Sequence, residues 1–330
     1  MLAARCYRFA SPPEVEIDSL PSPVPGEGQV GVEVHYASVN FPDVLIAQNL
    51  YQVSAPLPFT PGSELAGVVS AVGPGAGEFA LGDRVCGATF VGAFAEEVVL
   101  PAAGLRRLDP EADLAAASAF GVTYGTAYHA LRSFARLEAG QTLVVLGAAG
   151  GVGLAAVEIG RELGARVIAA ASSAERLELC RARGAAEGIC YADEDLKQRI
   201  RELAPDGADA VLDPVGGEHA EAALRATRWR GRFVCVGFAS GEIPRIPLNL
   251  VLLKGAEIVG LDMRAFSRFA PEEMERNQAE LWALFDSGRL RPYVSTRYPL
   301  ERAGEALAAL GERRATGKVV VEMPRAARGG

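Results

Sequence analysis

The sequence predicts an α/β protein in two parts: a mostly parallel, doubly wound sheet, and before it an irregular β-rich segment. Three observations carry this. An apolar run, a glycine-rich turn and a helical pattern follow one another in QTLVVLGAAGGVG (141–153) and LAAVEIGRELGA (154–165). From there to position 261, short apolar runs alternate with helical spacing, the pattern of a parallel sheet with crossover helices. The first 110 residues are instead rich in Pro and Gly and carry short alternating runs.

In chain order, QVGVEVHYASV, ELAGVVSAVG, GDRVCGA and AFAEEVVL read as short strands, with turns at Pro25-Gly26, Pro61-Gly62 and Pro74-Gly75. Strands of that length between turn signals predict a partly barrel-like β domain. From Asp113 the texture becomes helical, LAAASAFGVTYGTAYHALRSFARL, leading into the second part. There Thr142, Val144 and Val145 give a strand that stops at Gly147, and Leu154, Val157, Ile159 and Leu163 give a helix. ARVIAAA (165–171) is the next strand. EGICY (187–191), DAVLDPV (209–215), RFVCVGF (232–238) and AEIVGL (256–261) continue the sheet, with helices EDLKQRIREL and HAEAALRAT between them. The tail carries an amphipathic helix from Pro271 to Gly288, a second in ERAGEALAALGERR, and a last strand GKVVVEM; Arg325 to Gly330 are expected to fray. The first part lacks a closing strand of its own, so the tail is expected to return to it. The domains are read as 1–120, 121–262 and a returning 263–330.

Gly150, Gly151 and Gly153 remove the Cβ atoms that would hold the backbone away from a pyrophosphate, and the N–H groups of the helix's first turn point at such an anion. The turn therefore reads as a dinucleotide loop, with Ala149, Gly150, Gly151 and Val152 as binding residues. Its fingerprint departs from G-x-G-x-x-G by Ala148 in the first glycine's place. The competing reading is a helix start that packs closely on its sheet.

Composition narrows the classes. With 33 basic against 41 acidic residues, net charge -8, there is no basic stripe for a nucleic acid. Five scattered cysteines, never in C-x-x-C spacing, argue against a disulfide framework or structural zinc and fit a reducing cytoplasm. No apolar run reaches the roughly 18 residues of a membrane span, and MLAARCYRFA, soon followed by Pro12 and Pro13, does not read as a cleaved leader.

An ordered set of motifs runs through almost the whole chain: Val39-Asn40-Phe41-x-Asp43, Tyr51, Pro61-Gly62-x-Glu64-x-x-Gly67, Gly82-Asp83-Arg84-Val85, Gly125-Thr126-Ala127-Tyr128, Ala148-Ala149-Gly150-Gly151-Val152-Gly153, Asp213-Pro214-Val215-Gly216-Gly217 and Thr316-Gly317-Lys318-Val319-Val320. In these the chain resembles the zinc-independent quinone oxidoreductases, the zeta-crystallin-like group of the medium-chain dehydrogenase/reductase superfamily. The resemblance implies a GroES-like β-rich catalytic domain split around a Rossmann domain, and a homodimer. Where zinc-dependent members look like C-x-x-D and G-H-E, this chain has Asn40-x-x-Asp43 and Gly62-Ser63-Glu64, with the third ligand position near Val122. Amide, hydroxyl and alkyl groups make no tetrahedral zinc site, so no metal is expected. The chemistry implied is hydride donation to an activated acceptor, a quinone or α,β-unsaturated carbonyl.

Cofactor choice is read at the end of the second strand, where an acid would accept from a ribose 2′-OH and repel a 2′-phosphate. Here Ser172 and Ser173 end the strand, Arg176 follows, and Glu175 is read as facing solvent on the next helix. Ser173 and Arg176 offer a hydroxyl and a cation to a phosphate, which favours NADPH; the alternative for Arg176 is an ordinary surface arginine. By resemblance, Tyr191 borders this pocket, Thr126 lies near the nicotinamide, Phe238, Ala239 and Ser240 follow the fifth strand at the ligand end of the sheet, and Lys318 meets the cofactor, although alone it reads as a surface lysine. Glu64 reads as structural.

Asn40, Asp43 and Tyr51 match family positions lining the cleft beside the nicotinamide. Tyr51 is the candidate acid, against the alternative of a packing aromatic. A second family tyrosine is replaced by Leu45, so either the pocket is more apolar than usual or Tyr51 acts alone. The segments near 47–59 and 261–269 are read as pocket loops. Enoyl-thioester reductases share the Asn40-to-Tyr51 spacing, and a non-catalytic NADPH-binding protein is the reading from another class. His35, His129 and His219 have no Ser or Cys partner at suggestive spacing, so nucleophilic catalysis has little support.

Overall fold

The computed structural model describes residues 1–324; the expected fraying at Arg325 to Gly330 lies outside them. Contacts divide the chain into Met1–Val122 with the segment from Arg291 onward, and Thr123–Leu290.

In the first unit, β1 (Leu2–Arg5) and β2 (Glu16–Ser19) form an antiparallel pair. A mixed sheet uses β3 (Gln29–Val39), β4 (Glu64–Val72), β5 (Arg84–Ala88), β6 (Glu97–Pro101) and β7 (Leu105–Arg107). The parallel sheet of the second unit holds β8 (Thr142–Leu146), β9 (Arg166–Ala171), β10 (Glu187–Cys190), β11 (Ala208–Asp213), β12 (Thr227–Cys235) and β13 (Glu257–Gly260). The tail adds β14 (Val294–Pro299) and β15 (Lys318–Glu322) to the mixed sheet.

The mixed sheet runs β14-β15-β3-β4-β5-β7. One edge of β3 pairs throughout with β4, while its other edge is shared: β6 takes residues from Gln29 to Glu33 and β15 takes those from Tyr36 to Val39. Register shifts between Gly31 and Val32, and between Val34 and Tyr36, let β3 bend between its partners. The turns are built as the Pro-Gly pairs require. Gly62 has φ 95°, and a Cβ there would lie 2.3 Å from the Phe94 ring. Val32, Val34, Leu65, Val69, Phe94, Leu307 and Val321 are among the side chains of this core.

The parallel sheet runs β10-β9-β8-β11-β12-β13, the order of a doubly wound fold that turns back at its middle strands. Its central strands β8, β9 and β11 are buried almost throughout, with Leu143, Val144, Val145 and Ile168 fully covered, as a sheet with helices against it requires. Ile200, Ala220 and Leu224, from helices Leu196–Leu203 and Glu218–Arg225, join them in one core. The fifth strand starts at Thr227 rather than Arg232, because exposed Arg228, Trp229 and Arg230 extend it past the apolar run that marks it in sequence. Helices Phe41–Ala47 and Met263–Phe269 replace parts of the two stretches read as loops or left unassigned; Asn40 and Asp262 begin them. No helix of the described residues is long and apolar enough to cross a membrane.

Helix Pro271–Asp286, which the sequence reading gives to the returning tail, groups with the second unit. The reason is polar. Asn277 donates through Nδ2 to Ser133 Oγ at 2.8 Å and to His129 Nδ1 at 3.1 Å. His129 is fully buried against the Phe266 ring, and its Nε2 has no partner. Burial holds the imidazole neutral, down to about 4.

That shift predicts an acid sensitivity. Unfolded His129 takes a proton near its ordinary value of about 6.5, while the folded ring takes one only near pH 4. The unfolded chain therefore binds more protons between these values, and stability falls as pH drops through that window. At roughly 1.4 kcal/mol per unit, the full effect is about 3 kcal/mol. Thermal unfolding followed from pH 7 to 4 should show a steeper decline in the native chain than in His129→Gln; equal slopes would contradict it.

Candidate functional site

In the second unit the site is the end of β8. Gly147 has φ 56°, and a Cβ on it would meet Val215 at 2.6 Å. The tight-turn glycine is thus one residue before Ala148, which is buried and donates its N–H to Ala170 O at 3.0 Å. The sequence reading ended the strand at Gly147 but took Ala148 as the replaced turn glycine; the signal for Gly147 was the left-handed turn that must end a strand so abruptly. Helix Gly151–Glu162 begins at Gly150. A Cβ on Gly153 would lie 2.2 Å from Gly147 O and 2.8 Å from Ala148 Cα, so helix and turn touch backbone to backbone. Ala149 is buried, and Gly151 and Val152 are half-buried in the first turn, where helix N–H groups lack intrahelical acceptors.

Past β9, Ser172 is half-buried and Ser173 caps helix Ala174–Ala182, its Oγ accepting from Arg176 N at 3.3 Å. Arg176 is half-buried in that first turn, and Glu175 beside it is exposed. Tyr191 follows β10, donates its N–H to Ala171 O at 3.1 Å and stacks at 4.3 Å on the His219 ring. β9, the cap and Tyr191 thus gather at one end of the sheet.

At the ends of β11 and β12 two loops interlock. Asp213 Oδ1 accepts from Val215 N and Gly216 N, both at 2.8 Å, and burial raises this carboxyl above its ordinary range. Gly216 (φ 69°) and Gly217 (φ 64°) let that loop lie against Phe238 and Ser240, where Cβ atoms would come within 2.8 and 3.0 Å. Ala239 N and Ser240 N donate to Pro214 O and Val215 O. Phe238, Ala239 and Ser240 are half-buried there. Thr126 lies inside helix Gly121–His129, half-buried, rather than at its N-terminus.

In the first unit a buried polar cluster gathers Ser38 and Asn40 at the end of β3, Asp43 on helix Phe41–Ala47, Glu64 at the start of β4 and Lys318 at the start of β15. Glu64 Oε1 accepts from Val122 N at 2.9 Å; its Oε2 accepts from Ser38 Oγ at 2.5 Å and Asn40 Nδ2 at 3.2 Å. Lys318 Nζ donates to Asn40 Oδ1 at 2.6 Å and lies 3.9 Å from Glu64 Oε2. Asn40 N donates to Asp43 Oδ2 at 2.7 Å. Asp43 Oδ1 is buried and no donor reaches it in hydrogen-bonding geometry, although the Ser63 hydroxyl is near enough to favour its charge. Burial dominates and pushes the Asp43 carboxyl up to about 7, against Ser63, the Asn40 N–H and Lys318. Burial likewise lowers the Lys318 ammonium, with Glu64 and Asp43 opposing.

Two sequence readings change here. Lys318 is 3% exposed, so it is no surface lysine, and its ammonium is held by Asn40. Asn40 joins Asp43 and Lys318, and Tyr51 is half-buried against the apolar cluster of Cys6, Ile46, Ala47, Ala55 and Phe59. The helix at Phe41–Ala47 was missed, and Asn40 three residues before Asp43 was its signal. Glu64 holds several elements in place, as read. The positions aligned with zinc ligands carry Asn40, Ser63 and Val122. Among the described residues no group of three His, Cys, Asp or Glu side chains gathers to hold a metal.

Comparison with known proteins agrees with this construction. The family described as alcohol dehydrogenase GroES-like domain matches residues 26–110, and that described as zinc-binding dehydrogenase matches residues 151–279. The quinone oxidoreductase-like protein 2 homolog of Nematostella vectensis is 38% identical over 323 residues, covering 97% of this chain and 88% of that protein. The quinone oxidoreductase of Escherichia coli, solved with NADPH, superposes with a TM-score of 0.90 at 27% identity, over 98% of this chain and 100% of that one. Mycobacterial Rv1454c, also complexed with NADPH, gives 0.89 at 31% identity, over 98% and 99%. With this identity sustained over nearly its whole length, and with Asn40, Ser63 and Val122 in place of metal ligands, the chain belongs to the zinc-independent, quinone oxidoreductase-like group of the medium-chain dehydrogenase/reductase superfamily.

Proposed function

We propose that the protein is an NADPH-dependent reductase of quinones or α,β-unsaturated carbonyls that works without a metal. One observation carries the reading. The polar atoms at the former ligand positions are engaged with one another and with Lys318, Glu64 and Asp43, a hydrogen-bonded cluster in place of a Lewis-acid site. An acceptor that needs no metal to be polarised suits such a site.

The second unit fits the cofactor. Gly153 lets the helix start touch the turn backbone to backbone, which puts the helix N-terminus, with its N–H groups that lack intrahelical acceptors, beside the turn, where a pyrophosphate would sit. Ser172, Ser173 and Arg176 would take the 2′-phosphate, with exposed Glu175 turned to solvent. Tyr191 would border the adenine side, and Thr126 and residues 238–240 the nicotinamide side. When bound, the cofactor supplies a hydride. The chain's own part is to orient the acceptor through the first unit and to let Tyr51, or water, deliver the proton. Among the described residues the Tyr51 hydroxyl makes no hydrogen bond with Asn40 or Asp43.

We also infer a homodimer in the cytoplasm. Among the described residues β13 ends the parallel sheet with one edge unpaired, and in the helix just before it Leu248, Leu252 and Leu253 are at least 74% exposed. An open strand edge with apolar neighbours supports pairing with a second copy. Among the described residues none of the five cysteines is in a disulfide, which agrees with a reducing compartment.

Each part has its measurement. NADPH oxidation by the purified chain should proceed with 1,4-naphthoquinone or an enone, and silence across quinones, enones and crotonyl-CoA would refute the enzymatic reading. Tyr51→Phe should cut crotonyl-CoA turnover by on the order of 100-fold, but naphthoquinone reduction far less, because solvent protonates a reduced quinone; equal losses would favour the enoyl-thioester reaction as native. Arg176→Ala should weaken NADPH binding on the order of 10-fold and leave NADH binding unchanged in fluorescence titration. Ile258→Lys on β13 should convert a dimer to a monomer in sedimentation; a native chain already monomeric would overturn the dimer.

A further inference from the structure

The Asn40 amide can sit either way round in its pocket, and what decides is which neighbour only donates. Lys318 is that neighbour: an ammonium has three donors and no acceptor, and Nζ lies 2.6 Å from Oδ1. With the oxygen fixed there, Nδ2 must face the acceptors on the other side, Glu64 Oε2 at 3.2 Å, Ser38 Oγ at 3.3 Å and Ser63 Oγ at 3.5 Å. Asn40 also begins helix Phe41–Ala47 and donates its backbone N–H to Asp43. Lys318 reaches it because β15 pairs antiparallel with β3, Val319 opposite Val39.

We propose that Lys318 is a positioning residue for acceptor reduction: its ammonium locks the Asn40 amide in one orientation and so holds the Asn40–Asp43 helix start, instead of contacting the cofactor. The proposal rests on the reductase reading for its kinetic part only. Without Nζ, Asn40 Oδ1 loses its charged donor; Glu64, which only accepts, still faces Nδ2, but the Ser38 and Ser63 hydroxyls can accept or donate, so the amide is held from one side instead of two.

The test uses the full chain with NADPH and 1,4-naphthoquinone. Lys318→Met should lower kcat on the order of 10-fold or more while the KM for NADPH stays within about twofold. Lys318→Arg, which keeps a donor-only cation, should recover most of the loss. An NADPH KM that rises with kcat unchanged would show a cofactor contact and overturn the proposal, as would an unaltered kcat. A second readout needs no turnover. The ¹H–¹⁵N pair of the Asn40 side-chain amide, assigned by its loss in Asn40→Ser, should be sharp in the native chain and in Lys318→Arg but broadened in Lys318→Met; sharp signals in all three would overturn the proposal even if no acceptor is ever reduced. Should Lys318→Met fail to fold because Glu64 is left buried and unpaired, Lys318→Met/Glu64→Gln removes both charges and carries the same two readouts.

Discussion

The first unit depends on one buried carboxylate. Glu64 sits at the start of β4, 2% exposed, and ties three otherwise distant places together: Val122 through its backbone N–H, Ser38 and Asn40 at the end of β3, and Lys318 on β15. An ionised carboxylate so far from water is tolerated only when its lone pairs are filled and a cation is near. Both conditions are met by chain segments that must therefore arrive together. The returning tail is part of this requirement, because the only lysine in the cluster enters with it.

The second unit depends on a different constraint, backbone contact. Gly153 touches the carbonyl of Gly147, and Gly216 and Gly217 let the β11 loop meet the β12 loop. These contacts involve no charge. They place N–H groups and loop ends at the carboxyl side of the sheet, where a doubly wound fold binds its ligand. One unit is thus organised around filled valences and the other around deliberate vacancies of side chain.

Such vacancies are easy to read from a sequence, and filled valences are not. The parallel sheet, its order of elements and its glycine turn were legible because apolar periodicity and glycine positions are local. Even there the turn glycine was read one residue late, at Ala148, because a motif template hid what φ demanded of Gly147. Lys318 shows the other case. Nothing in TGKVV distinguishes a buried lysine from a surface one; its partner Asn40 lies 278 positions away, and only the β15–β3 pairing brings them together. His129 and helix Pro271–Asp286 fail for the same reason, since the Asn277 contact that binds them spans 148 positions. Tyr51, close to Asn40 and Asp43 in sequence, packs on an apolar cluster drawn from Cys6, the Phe41–Ala47 helix and Phe59, a setting no local pattern announces.

The charge balance of the cluster keeps the site polar although Asn40, Ser63 and Val122 stand at the positions aligned with zinc ligands. Glu64 and Lys318 compensate each other, and a second negative charge on Asp43 would be left uncompensated beside them. Burial settles this by raising Asp43 to about 7, so near neutrality the group is poised between an acid and a carboxylate. Its Oδ2 accepts the Asn40 N–H, while among the described residues its Oδ1 has no partner in hydrogen-bonding geometry. In place of a metal ion's fixed charge, the cluster has one internal ammonium and one carboxyl whose charge follows pH. A site of that kind can orient an acceptor and adjust its own polarity, but it has little power to polarise an unactivated alcohol. That is why an acceptor already disposed to take a hydride suits it.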